Sequence, residues 1–551
     1  MTPKAPRRDN PNGSGTSVLR FLLSLVLYTL AFPNPILEKG AGPLAWIALA
    51  PLFSLLPGWK PGRAAGLGAI FGVSLYALSN YWLWTYHPVA LLIACGYAAF
   101  GLAILFPTVS HVFRAFPRSG FAALPFLWLA YEFLRSRGFM GYPYGVLGYA
   151  FWREPNLLGL ASAGGVWLVS LAALAVNAAG GYALRRVLDR EGPGEGSGFP
   201  RAAGVATACA VGIVLVAYGA GTLFRTEWEP RASLRVALVQ PAFRERQRSL
   251  RDYRAMADRL IRLTEEARSG KPDLVVWHET AVVPPLGWHL RFRPNRDTLD
   301  LVTRIDAYIR GLDVPLLFGN GRAEPGADAL TRRNWNSAFL FADGREVARY
   351  DKMRLVPYSE TFPPAKFLPG IAAAIEAEVG QFWEAGREIT VFRLGDAGFS
   401  VPICFEDSFG DHTRAMAEAG ADFLVVLTDD SWGKSAPCQY YHLTQSALRA
   451  AELGIPVARA ANTGSTALLG PDGTLIAELP PFEEGILRVD IPLPPASFRG
   501  TGYRRIGDAL GWTALALGAA WIAAGVAVRI GRRSRKARGI GNPSIDNTGR
   551  L

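Results

Sequence analysis

The chain is poor in cysteine and histidine. Its 551 residues include four cysteines, Cys95, Cys209, Cys404 and Cys438, and six histidines. The cysteines form no Cys-x-x-Cys pair, so the sequence lacks both the ligand spacing of a structural zinc site and the density of a disulfide framework. A Walker loop and the glycine fingerprint of dinucleotide-binding folds are also absent. We therefore expect neither a metal nor a cofactor.

Charge is also scarce and unevenly distributed. Only 19% of the residues are charged, and the first 225 residues are nearly all apolar, whereas residues 226–500 have the composition of a soluble protein. The net charge is +12, but the basic residues form short clusters beside apolar runs and do not alternate with aromatic residues on one surface. This placement is typical of a membrane topology signal and not of a nucleic-acid binder. The length predicts at least two structural units.

Long apolar runs, by contrast, are abundant. A bilayer-spanning helix needs about 20 apolar residues, and eight stretches approach or exceed that length. The first also resembles a signal peptide, but no small-x-small cleavage site follows Phe32, which favours an uncleaved first span. The sequence thus predicts a polytopic α-helical membrane domain over residues 17–224, with seven transmembrane helices, and an eighth helix at 508–530. The eight stretches lie near residues 17–32, 42–58, 65–85, 88–110, 121–134, 157–184, 203–224 and 508–530.

Lysine and arginine collect in alternate loops, which marks those loops as cytoplasmic. An even number of spans then puts both termini in the cytoplasm, including the basic tail at residues 531–551. The large region between the seventh and eighth spans faces outward, which in a bacterium is the periplasm. Glu132, in the fifth stretch beside Arg135, is at a costly position for a charge. A locally paired interfacial carboxylate and a substrate contact are equally open interpretations.

Residues 233–492 show the pattern of a layered α/β fold, because short β-branched runs alternate with helical stretches. The predicted strands are Leu234–Val239, Asp273–Trp277, Pro315–Gly319, Ser337–Phe341, Phe399–Cys404, Phe423–Leu427, Pro456–Ala460 and Thr466–Leu469. The predicted helices are residues 249–268, 297–310, 411–419 and 439–453.

Three chemically versatile residues, Glu279, Lys352 and Cys404, each end or follow a predicted strand. The ends of strands are where side chains converge in such folds. A thiolate attacks carbonyl groups far better than a thiol, so a neighbouring carboxylate that takes its proton and a lysine that stabilises negative charge would make a nucleophilic site. Spacing alone also allows the alternative that Cys404 is a small buried hydrophobe and that Glu279 and Lys352 form a surface ion pair.

The segments around these three residues resemble the signature segments of the carbon-nitrogen hydrolase (nitrilase) superfamily. Within that superfamily, the combination with eight apolar stretches is similar to the apolipoprotein N-acyltransferases, and the similarity covers nearly the whole chain. The segments that carry it are Pro272–Ala281, Tyr350–Glu360, Pro402–Asp407, Gly141–Tyr149, Asp430–Trp432, Leu448–Gly454 and Asn462–Gly464.

This resemblance implies a nitrilase-like four-layer αββα sandwich and a two-step reaction. A cysteine would take an acyl chain from a membrane phospholipid, with phosphatidylethanolamine expected as the donor, and then pass it to the N-terminal amine of a diacylglyceryl-cysteine in an apolipoprotein. The implied roles are Cys404 as nucleophile, Glu279 as general base and Lys352 as oxyanion stabiliser, with Glu360, Glu406 and Phe405 as supporting residues; Phe405 stands where the family often has tyrosine.

Two other functions remain compatible with the residues. In a membrane-anchored nitrilase-type amidohydrolase, water would resolve the thioester, and in a non-catalytic scaffold or transporter the α/β domain would be degenerate. The apolar, proline-containing segment Tyr358–Trp383 is open to two interpretations as well. It is either an ordinary buried insertion or a mobile arm that dips towards lipid.

Overall fold

The computed structural model describes residues 12–117, 119–188, 201–244, 249–326, 332–380 and 382–537. Its first part is helical, as the long apolar runs predict. The helices are α1 (Asn12–Ala31), α2 (Ala50–Leu55), α3 (Pro61–Ser79), α4 (Leu83–Tyr86), α5 (Pro88–Ala115), α6 (Gly120–Arg135), α7 (Pro155–Leu188) and α8 (Arg201–Phe224).

Among the described helices, four are long and apolar enough to cross a membrane: Pro88–Ala115, Pro155–Leu188, Arg201–Phe224 and Ala509–Arg535. Each coincides with one of the predicted spans. The second predicted span is not one continuous helix. Within residues 42–58, the six-residue helix α2 lies between two 3-10 turns. Prolines interrupt this stretch, and the Asn177 side chain of α7 accepts the free amides of Leu49 and Ala50 at 2.7 and 2.9 Å.

Helix α7 is broken in its middle. Gly164 and Gly165 leave the helical conformation, with φ of −146° and 71°, and a Cβ on Gly165 would lie 2.6 Å from the ring of Tyr503. The break frees the amide of Val166, which donates to Glu452 Oε1 at 2.7 Å. Because Glu452 belongs to the α/β part of the chain, the kink fixes that part against the helices.

The α/β part adds twelve strands and eight further helices to the described residues. The strands are β1 (Ala232–Gln240), β2 (Leu274–Val276), β3 (Leu316–Pro325), β4 (Arg332–Ala342), β5 (Arg345–Asp351), β6 (Phe392–Leu394), β7 (Ala397–Ser400), β8 (Phe423–Thr428), β9 (Val457–Ala461), β10 (Thr466–Leu469), β11 (Leu475–Leu479) and β12 (Gly485–Leu493). The helices are α9 (Leu250–Arg268), α10 (Leu286–Phe292), α11 (Arg296–Arg310), α12 (Pro369–Val379), α13 (Gly410–Glu418), α14 (Ala436–Leu453), α15 (Gly502–Ile506) and α16 (Ala509–Ala537), of which α16 returns to the membrane-type helices.

Two six-stranded sheets, ordered β12-β1-β2-β3-β4-β5 and β11-β10-β9-β8-β7-β6, pack face to face. Alternation along β1 shows why: Leu234, Val236 and Leu238 belong to the core shared by both sheets, whereas Ala237 and Val239 pack with α9 and α11 on the outer face. Successive side chains of a strand point to opposite faces of the sheet, so apolar residues on both sides of β1 indicate that both faces of the sheet are covered. The result is the predicted sandwich of two sheets between layers of helices.

All eight predicted strands are present, but four more were missed. β5, β6, β11 and β12 are partly exposed and carry charged side chains, so they lack the continuous apolar run on which the prediction depended. One predicted boundary is also wrong. β7 ends at Ser400, and Cys404 begins a 3-10 turn.

The segment Gly141–Tyr149 links the membrane-type helices to the α/β part, and two charged residues of α6 hold it. Arg135 Nη1 donates to the carbonyl oxygens of Tyr142 and Tyr144, both at 2.7 Å. Glu132 Oε1 accepts the amide of Leu147 at 3.0 Å. Buried charges are stable only when hydrogen-bonded. Glu132 therefore fits the interpretation of a locally paired carboxylate, although it is fully buried and its partners are the Leu147 amide and the Trp128 indole.

Candidate active site

Glu279 lies just beyond β2, where the chain turns across β3. The turn packs so closely that a Cβ on Gly319 would lie 2.7 Å from Glu279 Cα, which explains the glycine. Three donors reach the carboxylate: Asn336 Nδ2 at 2.7 Å and Lys352 Nζ at 3.3 Å on Oε1, and the amide of Asp429 at 2.9 Å on Oε2. With both oxygens fixed, the carboxylate has one orientation.

Lys352 directly follows β5 and is fully buried. Its amide donates to the carbonyl of Asn336 at 2.8 Å, so the same β4 residue orients both Glu279 and the lysine backbone. Besides Glu279, Nζ reaches Glu360 Oε1 at 2.7 Å. Burial by itself lowers the pKa of Lys352, but the charges of Glu279 and Glu360 outweigh it and raise the pKa well above its usual value. The ammonium is therefore present at all physiological pH values.

Cys404 occupies a sharp turn between β7 and the following 3-10 helix. Its φ of 53° is in the left-handed region, which costs a residue with a side chain of order 1–3 kcal/mol and is commonest at functional sites. Its side chain is almost fully buried. Burial and the charge of Glu279 raise the pKa of the Cys404 thiol well above its usual range, while Lys352 lowers it. The resting group is thus a thiol, and a nucleophilic role would require a base to take its proton.

Glu406 joins the turn of Cys404 to the turn of Lys352. One oxygen accepts the amides of Met353 and Arg354 at 2.7 and 2.9 Å, and the other accepts the amide of Ile403 at 2.8 Å. Burial opposes ionisation, but His412 and these amides outweigh it and lower the pKa of Glu406. A permanent carboxylate therefore ties the two segments together. Phe405, next in the chain, packs edge-on against Phe409 with ring centroids 5.0 Å apart.

A cavity of about 840 Å³ joins the predicted site residues to the membrane-type helices. Glu279, Glu360, Cys404 and Phe405 line it from the α/β part. Lys352 and Glu406 are not among the lining residues, but Lys352 contacts both Glu279 and Glu360. One side of α5 lines it with apolar residues, and α12 faces α5 across the space. The residues of α5 and α12 that line the cavity are Val89, Ala90, Ile93, Ala94, Tyr97, Gly370, Ile371, Ala374 and Ile375.

The segment held by Arg135 completes the cavity wall. Tyr144 lines the cavity with Cys404 and stacks on Tyr441 of α14, with ring centroids 5.4 Å apart and an interplanar angle of 5°. The carbonyl of Tyr144 is the one that Arg135 binds. The membrane-type helices therefore shape the site as well as anchoring it.

The Tyr358–Trp383 segment divides into a packed part and an exposed part. Phe362 is buried and stacks with Phe382. In contrast, 85% of Phe367 and 45% of Leu368 are exposed at the start of α12. Two adjacent exposed apolar side chains beside a cavity that opens towards membrane-type helices are the feature expected of a lipid-contacting arm.

Beneath Cys404 lies a buried polar cluster that the sequence did not predict as part of the site. It consists of Asp407, Asp430, His442 and Arg459, with Thr428 between Asp430 and Cys404. The Cys404 Sγ, an Asp430 oxygen and a His442 nitrogen lie within 4.8 Å of one another, a spacing that a metal ion would also use. Arg459 already supplies a cation to Asp430 at 2.8 Å, although Asp407 Oδ1, His442 Nε2 and Arg459 Nε of the cluster have no hydrogen-bond partner among the described residues.

Asn336 was also missed. The available signal was a polar residue at the start of an apolar run, because Asn336 directly precedes the predicted strand Ser337–Phe341. The structure shows that Asn336 is buried. Polar residues in such positions must be hydrogen-bonded, but the sequence gives no indication of the partner. Asp429 is comparable, because it contributes its backbone amide to Glu279, and a backbone contact leaves no trace in residue type.

Comparison with known families matches both parts of the chain. Residues 24–179 match the N-terminal domain of apolipoprotein N-acyltransferases, and residues 235–497 match the carbon-nitrogen hydrolase family. Among solved structures, an amidase of the nitrilase superfamily from Nesterenkonia is similar to 48% of this chain over 94% of its own, with 22% identity and a TM-score of 0.36.

Curated relatives extend along nearly the whole chain. The Treponema pallidum protein named apolipoprotein N-acyltransferase 1 is 36% identical over 514 residues, which are 90% of this chain and 92% of that protein. An apolipoprotein N-acyltransferase from Geobacter metallireducens is 30% identical over 540 residues, covering 94% of this chain and 95% of its own. Both the membrane-type helices and the α/β part are therefore shared with these proteins.

Proposed function

Since the chain belongs to the apolipoprotein N-acyltransferase family, we propose that it moves an acyl chain from a membrane phospholipid to the N-terminal amine of diacylated apolipoproteins through a thioester on Cys404. The observation that carries this proposal is the shared cavity. It places a buried thiol between a carboxylate and an ammonium at one end and the apolar side of α5 at the other. A purely hydrolytic site would have no use for the membrane-type wall.

In the first step, Glu279 accepts the proton of the Cys404 thiol and the sulfur attacks the ester carbonyl carbon of the phospholipid. Lys352 stabilises the negative charge that develops on the carbonyl oxygen. When the carbon–oxygen bond breaks, Glu279 returns the proton to the departing alkoxide. The products are a lysophospholipid and an acyl thioester on Cys404. We infer phosphatidylethanolamine as the donor from the family resemblance.

In the second step, the amine nitrogen of the apolipoprotein attacks the thioester carbonyl. Glu279 now takes a proton from the nitrogen and passes it to the departing sulfur as the carbon–sulfur bond breaks, which gives an amide and the free thiol. Lipid and lipoprotein thus use the same cavity in turn, which is a ping-pong sequence. Glu360 supports the site by binding Lys352, and Glu406 by fixing both turns. Phe405 forms part of the cavity wall.

We also propose the topology and domain boundaries. Residues 17–224 form the membrane domain with seven spans, residues 233–492 the catalytic domain, residues 508–530 the eighth span and residues 531–551 a cytoplasmic tail. With both termini cytoplasmic, the catalytic domain faces the periplasm from the inner membrane of a bacterium. The basic loops support this orientation.

The function is tested in bacteria depleted of their own apolipoprotein N-acyltransferase and supplied with this gene. Mass spectrometry of lipoprotein N-termini is expected to show diacylated termini on depletion and triacylated termini after complementation. Expression of the protein is checked by immunoblot. If the protein is present in the membrane and the termini stay diacylated, the proposed function is wrong.

The arm is tested by replacing Phe367 and Leu368 with serine. We expect acyl transfer from phospholipid vesicles to be slower by at least about tenfold, because each large apolar side chain gains about 1.5–3 kcal/mol on leaving water and about 1.4 kcal/mol is a factor of ten. Transfer from a water-soluble short-chain ester should be unchanged. Val347→Ser, which alters an exposed apolar residue of β5, is the matched control. Equal slowing with both donors would contradict a role in lipid contact.

A further inference from the structure

Packing alone does not explain the charged cluster under Cys404. His442 of α14 lies between two carboxylates, with Nδ1 2.8 Å from Asp430 Oδ1 and Nε2 3.3 Å from Asp407 Oδ1. All of these side chains are at least 98% buried. Nδ1 is hydrogen-bonded to Asp430, whereas Nε2 is within ion-pair distance of Asp407 Oδ1 but makes no hydrogen bond to it. A carboxylate close to each ring nitrogen favours the imidazolium.

Two further charged or titratable groups, from β9 and from the Gly141–Tyr149 segment, face His442. Arg459 of β9 binds Asp407 at 3.0 Å and Asp430 at 2.8 Å, and its Nη2 lies 2.7 Å from His442 Nδ1. Tyr144 faces the imidazole ring with centroids 6.2 Å apart. Burial and Arg459 lower the pKa of His442, but Asp430 and Asp407 outweigh them and raise it to about 9.

The cluster is therefore neutral near pH 7, with two carboxylates opposite one guanidinium and one imidazolium. This balance matters for Cys404, because its sulfur lies within 4.8 Å of both Asp430 and His442. The Thr428 hydroxyl donates to Asp430 Oδ1 at 2.9 Å. A change of charge in the cluster therefore acts on the sulfur at short range.

We propose that His442 is a positioning residue of the acyl-transfer reaction, whose imidazolium neutralises Asp430 and thereby holds a charge-balanced surface beneath the Cys404 sulfur. Without it, a net negative charge would remain buried next to a thiol that must become a thiolate. Like charges at this distance oppose ionisation. His442 thus complements Lys352, since the two cations lie on different sides of the sulfur: Lys352 beside Glu279 and His442 in the cluster below.

The inference rests on Cys404 as the proposed nucleophile, and its test does not depend on lipid or lipoprotein. The rate of Cys404 alkylation by iodoacetamide is measured against pH on the full chain in detergent, with Cys404→Ala as the blank. For His442→Asn we expect alkylation about tenfold slower at a given pH, equivalent to an alkaline shift of about one unit. For Asp430→Asn, which removes the negative charge, we expect a shift in the opposite direction.

The double variant Asp430→Asn/His442→Asn should return the profile to near that of the unaltered protein, because both charges are removed. His289→Asn, at a half-buried histidine in α10, is the control and should leave the profile unchanged. An unshifted profile in His442→Asn, or a uniform loss of labelling at every pH, would overturn the proposal. If that variant does not fold, Asp430→Asn decides alone, and an unchanged or alkaline-shifted profile overturns the proposal.

The two proposals fail in different ways. If Cys404→Ala still restores triacylated lipoproteins in cells, the proposed function of Cys404 is wrong, whatever the alkylation profiles show. If Cys404→Ala is inactive but His442→Asn leaves the alkylation profile unshifted, only the role of His442 is wrong.

Discussion

Replacing Cys404 with alanine is expected to abolish acyl transfer, with a loss of at least about 10⁴-fold, the order found when the nucleophile of a catalytic set is removed. Cys404 is the described cysteine that lines the cavity together with Glu279, so no neighbouring thiol can take over. The exchange removes one sulfur atom. It does not relieve the backbone strain at a φ of 53°, because alanine also has a Cβ. Stability should therefore change little.

The measurement is intact-protein mass spectrometry after incubation with phospholipid and no acceptor. The unaltered chain should gain the mass of one acyl group, released by hydroxylamine, and Cys404→Ala should gain none. Cys438→Ala is the matched control, because Cys438 is also buried but packs against Gly433. Acylation that persists in Cys404→Ala, or disappears in Cys438→Ala, would contradict a thioester at Cys404.

Replacing Glu279 with glutamine is expected to slow acyl transfer by about 10²–10⁴-fold, the usual contribution of general acid–base catalysis. The size of the side chain is kept, but its amide nitrogen would face one of the three donors that now bind the carboxylate. More importantly, the proton of Cys404 would have no acceptor at the site.

The direction of the change in Cys404 alkylation distinguishes a general base from a residue that only alters the acidity of the thiol. Glu279 raises the pKa of Cys404, so its loss should lower that pKa. Alkylation of Cys404 by iodoacetamide should therefore be no slower in Glu279→Gln, while acyl transfer falls steeply. Glu360→Gln, which alters the other carboxylate on Lys352, is the comparison and should have the smaller effect on transfer. A parallel fall in alkylation and transfer for Glu279→Gln would argue against a general base.

Lys352 illustrates why the two carboxylates differ in role. Its ammonium contacts both, but Glu360 also accepts the amide of Val356 at 2.8 Å and belongs to the loop that precedes α12. Burial raises the pKa of Glu360, Lys352 opposes this, and Glu279 adds to it. Both carboxylates line the cavity, but Glu279 is the one whose charge acts on Cys404. Glu360 is thus suited to hold the lysine in place, and Glu279 to exchange protons.

Much of the fold could be predicted because its signals are local. The long apolar runs predicted the positions of the membrane-type helices, and the β-branched runs predicted the eight strands that are buried in the sheets. The missed strands β5 and β12 lie at the edges of the first sheet, where one side of each strand remains partly exposed and charged residues are tolerated. The second apolar stretch forms a short helix between two 3-10 turns. Its backbone binds the side chain of Asn177, which is more than a hundred residues away in the sequence.

The sequence by itself determined the chemical groups of the site: a carboxylate, an ammonium and a thiol, each at the end of a predicted strand or beyond one, and therefore expected to converge. Only the tertiary structure decided what surrounds them. Asn336 fixes Glu279, Glu406 joins the turns of Cys404 and Lys352, His442 and Asp430 meet under the sulfur, and Tyr144 brings a membrane-type segment to the cavity. These partners are distant in sequence, and their contacts depend on how sheets and helices pack, which residue type and spacing do not encode.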